Sequence, residues 1–473
     1  TGIGGHVAIP HGKSDYVDQV GIAVGRTRER IEWESYDGEP SQLFFLFAVP
    51  SDSKGAKDHL KLIAELAGKL GNDEIMKKLQ NASTYEELVE AASFMMPGKI
   101  ISGRGALKAA GELLPAVGKK ALIVTDPTME KLGNLEKVTD ILDQKKIAYA
   151  VFSGIYGEPD DGMIKEGLLC YQKENCDFLI GLGGGSPVDA MKAIAMLAVC
   201  GGNPIDYMGM NIDQPLLFMA AVPTTAGTGS EATQFTIITD RATQVKMLLK
   251  GPSLIPDLAV IDPQFTMTVP PKITAATGID ALTHAIEAYT SKKAQPLSDT
   301  FALSACRRIF DNLRTAWEQG DHEDARIQMS LAALEAGIAF NNSSVTLVHG
   351  MSRPIGALFH VPHGISNAML LNICLQYAAE GARERFGAIA VACGFAGAEE
   401  TRDTACEKLL SQVEMLLHDI EIPTLEEYGI DRDCFMESVP KMASDAMASG
   451  SPSNTRRNLD ADALERLYRK LWQ

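Results

Sequence analysis

Apolar residues fall into three successive rhythms along this chain. From residue 1 to about 94, IEWES (31–35) and QLFFLFAVP (42–50) have the pattern of strands. KDHLKLIAELAGKLGN (57–72) repeats its apolar positions every three to four residues and ends at Gly71. TYEELVEAASF (84–94) opens with Ser83 or Thr84 as a cap and glutamates in its first turn. Two strands and two helices are therefore predicted, followed by a joint at MMPGK (95–99). From 99 to about 263 the runs KKALIVTDP (119–127), IAYAVFSG (147–154), CDFLIGLGGGSP (176–187) and FMAAVP (218–223) each close on turn residues. Helical stretches such as MIKEGLLCYQKEN (163–175) separate them. Strands this apolar, linked by crossover helices, predict a parallel sheet covered on both faces. From about 270 onward the period is helical almost throughout, as in TGIDALTHAIEAYT, SDTFALSACRRIFDNLRTAW and DARIQMSLAALEAGIAF.

The expected organisation is a small α/β domain at 1–94, a linker at 95–98, an α/β domain at 99–263 and an all-α domain at 264–473. The 473-residue length agrees, since domains average roughly 150 residues. The formal net charge of -17 argues against a surface for nucleic acid or an anionic membrane. No apolar run approaches the ~18 residues of a membrane span. The eight cysteines form no C-x-x-C pair and read as reduced thiols. The chain opens at Thr1 with no leader-like segment, and together these features predict a cytoplasmic protein.

Candidate chemistry gathers at six places. LVHGMSRPIGALFHVPHG (347–364) holds three of the nine histidines, with glycine and proline breaking the run twice. Asp280 and His284 stand at i and i+4 in GIDALTHAIEAY, on one helix face. With His349 and His363 they would make a four-ligand site for Fe²⁺ or Zn²⁺; the alternative is a helix-surface pair plus histidines in the core or in caps. In LIGLGGGSPVDAMKAIA (179–195) a strand meets a helix through Gly183, Gly184 and Gly185, which suits a pyrophosphate or simply a tight turn. VPTTAGTGSEAT (222–233) supplies hydroxyls for ribose or phosphate oxygens, or for helix caps. Asp126 ends a strand, where it either accepts hydrogen bonds from an adenosine ribose, favouring NAD over NADP, or forms the turn before Pro127. His11, before Gly12, is a candidate nucleophile toward phosphate with His59 as its neighbour, or an ordinary loop histidine.

Taken together, GGGSPVDA, PTTAGTGSE, GIDALTHAIEAY and HG-x12-HG make residues 99–473 resemble the iron-containing (group III) alcohol dehydrogenases. That resemblance implies a Rossmann-like NAD-binding domain, a helical metal-binding domain, a catalytic cleft and a homo-oligomer acting on a small alcohol or aldehyde. It implies Asp280, His284, His349 and His363 as metal ligands. The pyrophosphate loop would be Gly183, Gly184, Gly185 and Ser186, with Asp189 behind it. Thr224, Thr225, Thr228 and Lys246 would contact the cofactor, and Asp126 would mark a preference for NAD. One departure stands out. Where many members carry a further histidine, this chain has Arg353, which cannot shuttle a proton near neutral pH. The task would pass to His360 or a water, and Arg353 would be available to an anionic substrate. Residues 1–94 resemble the fructose/mannitol-type enzyme IIA domain of the bacterial phosphotransferase system, through GIGGHVAIPHGK, IEWES-x-DGEP and LFFLFAVP. That implies phosphorylation at His11, with His59 beside it and the phosphocarrier HPr as partner. The family's preceding N-terminal segment is absent here, and His6 replaces a usual glycine.

Overall fold

The computed structural model describes residues 2–4, 6–14, 21–35, 37–50, 79, 81, 93–243 and 245–472. The chain divides into two compact units, Thr1–Phe94 and Met95–Gln473. The helix read at 57–72, and the one at 84–94 up to residue 92, lie outside the described residues.

In the first unit, strands β1 (Gly2–Gly4), β2 (Val7–Ala8), β3 (His11–Ser14), β4 (Gly21–Ile31) and β5 (Ser41–Pro50) form one sheet. β5 is its hub, pairing in parallel with β2 and β3 and antiparallel with β4. Ser41, Leu43 and Phe45 alternate into the core, as the pattern predicts. β4 was not legible as a strand, and IEWES contributes only Ile31 to it. Ala23–Arg26 and Glu29–Ile31 are exposed, so this strand spends few apolar residues and shows no alternation.

The second unit begins at Met95. Its N–H donates to Asn342 Oδ1 at 2.7 Å, and its carbonyl accepts from Asn341 Nδ2 at 3.1 Å and Asn342 Nδ2 at 2.7 Å. Residues read as the start of a linker are thus pinned to the helical part of the fold. Six strands follow: β6 (Lys99–Ser102), β7 (Lys120–Val124), β8 (Ala148–Phe152), β9 (Phe178–Gly183), β10 (Met219–Pro223) and β13 (Leu258–Ile261), in the order β6-β13-β10-β9-β7-β8. Every pairing among them is parallel. Helices α1 (Ala106–Gly111), α2 (Pro127–Lys131), α3 (Asn134–Gln144), α4 (Asp161–Glu174) and α5 (Gly185–Cys200) make the crossovers. On β7, Ala121 and Ile123 join one core cluster while Leu122 and Val124 join another. Each face of the sheet is therefore covered, which is why the strand reads as continuously apolar. From β7 the chain runs to β8 on one side, then returns past β7 to β9 on the other. The switch point between β7 and β9 is where an open parallel sheet leaves a crevice for a ligand. A hairpin of β11 (Phe235–Thr239) and β12 (Lys246–Lys250) stands apart from this sheet.

The remainder is helical: α6 (Pro271–Thr290), α7 (Pro296–Glu318), α8 (Glu323–Ser343), α9 (Leu347–Phe359), α10 (His363–Ala379), α11 (Arg383–Ala392), α12 (Arg402–Asp419), α13 (Arg432–Ala448) and α14 (Ala461–Lys470). α6 is buried on all sides from Gly278 to Thr290 and packs against α7, α8 and α10. The histidine-rich run is interrupted once rather than twice. Pro354 and Gly356 lie inside α9, and the break falls at His360–Pro362, with His360 in the left-handed region (φ 54°).

The α/β and helical parts meet backbone to backbone. Gly229, after β10, has φ 61°, and a Cβ there would stand 2.5 Å from Gly337 Cα on α8. A Cβ on Gly337 would stand 2.8 Å from Gly229 Cα, where no flexible side chain can yield. Gly337→Ala is expected to cost about 1–3 kcal/mol, read as a lower thermal midpoint. An unchanged midpoint would mean the two parts separate without penalty.

Candidate metal centre and nucleotide crevice

α6 presents Asp280 and His284 one turn apart, His349 stands in the first turn of α9, and His363 opens α10. One ligand-type atom from each of the four lies within 4.8 Å of all the others. His349 Nε2 and His363 Nε2 stand 3.8 and 3.6 Å from Asp280 Oδ1. The His284 and His349 rings stack at 4.4 Å, and Phe340 covers the other face of His284 at 4.2 Å. Asp280, His284 and His349 are buried, whereas His363 is exposed, so the cluster opens on the His363 side. The break at His360–Pro362 is what lets two helices aim at one point.

A carboxylate that the sequence reading passed over holds this arrangement. Glu287 lies one turn beyond His284 on α6, is 1% exposed, and receives His349 Nδ1 at 2.6 Å. It also accepts Thr346 N at 3.0 Å, Thr346 Oγ1 at 2.8 Å and Val348 N at 2.6 Å. These bonds cap the otherwise unpaired N–H groups at the start of α9. They also keep the His349 proton on Nδ1, which leaves the Nε2 lone pair facing the cluster. Asn367, one turn after His363 on α10, places Nδ2 2.7 Å from Asp280 Oδ1 and 3.2 Å from both His349 Nε2 and His363 Nε2. The signal for both residues was present as spacing, H-x-x-E and H-x-x-x-N on the ligand helices.

Burial drives the electrostatics. It pulls the His284 and His349 imidazoles below 6.5, and charge on neighbouring histidines adds to this at both, so both are held neutral as lone-pair donors. Burial pushes the Asp280 carboxyl up, but the three histidines together outweigh it and hold the group below 3.8, ionised. Burial also raises Glu287 above 4.5, against the donors that surround it. Among the described residues, His284 Nδ1 and Asn367 Oδ1 are buried without a hydrogen-bond partner. Three imidazoles, one carboxylate and these orphaned atoms fit a divalent cation such as Fe²⁺ or Zn²⁺.

The candidate nucleotide crevice is the one at the switch point. Gly183 has φ 150°, and a Cβ there would meet Pro187 Cγ at 2.5 Å and Asp126 Oδ2 at 3.2 Å. The glycine therefore allows the loop to turn into α5 and brings the Asp126 carboxylate beside it. Asp126 also caps α2 through Oδ1, which accepts from Thr128 N at 2.8 Å and Met129 N at 3.3 Å, and among the described residues Oδ2 takes no hydrogen bond. Ser186 is half-buried in the first turn of α5. Across the crevice, Thr225 Oγ1 would lie 3.5 Å from a Cβ on Gly184, and Thr228 Cγ2 2.9 Å from one on Gly185. Thr224 is buried, and its N–H bonds the Gly183 carbonyl at 2.9 Å.

Four further residues of the sequence reading stand outside these two groups. Asp189 turns away from the loop, accepting from Ser230 Oγ and from Ile237 N at 3.1 Å, and so ties α5 to β11. Lys246 starts β12 and pairs with Glu158 at 2.7 Å. His360 is exposed at the C-cap of α9. Arg353 is half-buried on α9 and donates to Ser451 Oγ at 3.2 Å. In the first unit, His11 begins β3 but its side chain lies outside the described residues, as does the whole of His59.

Residues 97–263 match the family model for iron-containing alcohol dehydrogenase, and 274–472 match that for the C-terminal part of the Fe-containing alcohol dehydrogenase family. Residues 1–93 match the EIIA 2 model of the phosphoenolpyruvate-dependent sugar phosphotransferase system. Lactaldehyde reductase of Escherichia coli (strain K12) is 36% identical over 382 residues, which cover 78% of this chain and 97% of that protein. The crystal structure of 1,3-propanediol oxidoreductase superposes with a TM-score of 0.77 at 35% identity, covering 80% of this chain and 99% of that one. Sulfoacetaldehyde reductase from Bifidobacterium kashiwanohense, in complex with NAD+, gives 0.73 at 27% identity, covering 80% and 98%.

Glu287→Gln would put an amide N–H₂ against groups that are all donors. Metal affinity, read by competition with a chelator, is expected to fall about 10- to 100-fold. Wild-type affinity in a folded Glu287→Gln protein would remove Glu287 from the account of the site.

Proposed function

The chain belongs to the iron-containing alcohol dehydrogenase family, and from that premise we propose that Met95–Gln473 transfers hydride between NAD(H) and a small alcohol or aldehyde at the Asp280–His284–His349–His363 centre. The observation that carries this reading is the convergence of four ligand atoms within 4.8 Å, three of the four residues being buried. A divalent ion held there, Fe²⁺ by family and Zn²⁺ by donor set, supplies Lewis-acid polarisation of the substrate oxygen. Glu287 fixes the tautomer of His349, and Asn367 holds Asp280 Oδ1. The N-terminus of α5 with Gly183, Gly184, Gly185 and Ser186 takes the pyrophosphate. Asp126 Oδ2 takes the ribose hydroxyls and repels a 2′-phosphate, so NAD is favoured over NADP. Thr224, Thr225 and Thr228 border the rest of the cofactor, and Lys246 reaches it by exchanging Glu158 for a cofactor oxygen. Held there, the nicotinamide would supply the hydride for the reductive direction, and a proton would have to reach the substrate oxygen. His360, exposed three residues before His363, is assigned to return that proton from solvent.

A second reading concerns the first unit and rests on the family match at 1–93. There His11 accepts phosphate from HPr, His59 is the second histidine of the reading, and the dehydrogenase is the output. Incubation with phosphorylated HPr is expected to label the wild type and not His11→Ala; no label on either would remove this reading.

Stripping the protein with chelator and returning Fe²⁺ or Zn²⁺ anaerobically should restore NADH oxidation by small aldehydes in the wild type but not in His284→Ala. Activity equal in both, or independent of metal, would contradict the assignment of the centre. Asp126→Asn keeps an N-cap residue while removing the charge. It should raise the kcat/KM ratio of NADPH to NADH by about tenfold, the size of one lost repulsion of roughly 1.4 kcal/mol.

A further inference from the structure

Arg353 occupies an unusual position for a cation. It follows His349 by four residues on α9, on the same helix face and roughly 6 Å further along the axis. Among the described residues its one hydrogen bond is to Ser451 Oγ at 3.2 Å, and no carboxylate lies within ion-pair distance of it. Arg308 meets Glu335 at 3.1 Å and Arg385 meets Asp299, while the buried Arg326 spends its donors on the Gly320 and Val269 carbonyls and Thr274 Oγ1. Glu287 is the acid whose charge favours the Arg353 guanidinium, but its carboxyl is already committed to four donors from Thr346, Val348 and His349. Burial pulls the guanidinium down from 12.5, the direction expected for a cation short of compensation. The turn that carries Ser451 cannot easily give way, since a Cβ on Gly350 of α9 would meet Pro452 Cγ at 2.5 Å. A guanidinium has five donors in a planar fork, and most of this one's are unspent. A half-buried charge without a counter-ion is costly, and an anion arriving with the ligand removes that cost.

We propose that Arg353 is a specificity-determining residue that binds an anionic group (carboxylate, sulfonate or phosphate) carried by the substrate while the aldehyde oxygen sits at the Asp280–His284–His349–His363 centre. The one-turn spacing from His349 limits the substrate to short chains, about two to four carbons between and including the two groups. This rests on the dehydrogenase reading above and narrows its substrate class from small aldehydes to short anionic ones.

The test compares two four-carbon aldehydes, succinic semialdehyde and butanal, with the full chain loaded with Fe²⁺ or Zn²⁺ and NADH. In the wild type the kcat/KM ratio of the anionic to the neutral aldehyde should exceed that of Arg353→Met by about tenfold to a hundredfold, the size of a lost charge-assisted hydrogen-bond pair. The difference should lie mainly in KM, and Arg353→Lys should restore part of it. Succinate, which cannot be reduced, should compete with butanal in the wild type and only weakly in Arg353→Met. If Arg353→Met does not fold, Arg353→Lys and succinate competition in the wild type still decide the matter. The same ratio in wild type and variant while butanal is reduced would overturn this proposal and leave the dehydrogenase standing. Reduction of neither aldehyde would overturn both.

Discussion

The functional half of this protein depends on one buried carboxylate. Glu287 takes the His349 ring nitrogen, the Thr346 hydroxyl and two backbone N–H groups at the start of α9, all within 3.0 Å. It thereby joins the helix that carries Asp280 and His284 to the helix that carries His349. A buried carboxylate costs free energy unless its oxygens are satisfied, and satisfying them here requires α9 to begin where it does. The placement of His349 follows from that, and so does the direction of its free lone pair. The turn at His360–Pro362 then brings His363 back to the same point.

The same economy joins the two halves of the active region. Gly183 turns the end of β9 into α5 and admits the Asp126 carboxylate. The loop after β10 lies against the glycine turn at Thr225 and Thr228, and against α8 at Gly229. A Cβ on Gly227 of that loop would meet Thr277 Cβ on α6 at 2.6 Å, so the loop also rests on the metal-site helix. Positions that only glycine can fill thus set the nucleotide crevice against the metal centre. A small shift between Gly229 and Gly337 is costly, because neither backbone has a side chain to rearrange.

Much of this was legible in the sequence, and the misses have physical causes. β7, β9 and β10 are buried on both faces and announce themselves as continuous apolar runs. Asp280 and His284, and the paired histidines at 349 and 363, were legible because metal ligation requires particular residue types at particular spacing. Glu287 and Asn367 escaped because H-x-x-E and H-x-x-x-N spacings are common on helices, and only the partner reveals which of them matters. Pro354 was read as a break, yet it lies within α9, where tertiary packing outweighs the local preference. β4 escaped because an exposed, charged strand shows no alternation. Asp189 and Lys246 were placed by family likeness, and the structure gives them partners in Ser230 and Glu158 that sequence does not disclose.

The central claim is that Asp280, His284, His349 and His363 together hold one divalent ion. Titrating the metal-stripped protein with Co²⁺ and recording the visible spectrum tests it directly, since a low-coordinate Co²⁺ site absorbs far more strongly than hydrated Co²⁺. The account predicts an intense spectrum that saturates at one ion per chain and is absent from His284→Ala. A spectrum no stronger than that of free Co²⁺, or an unchanged one in His284→Ala, would contradict it.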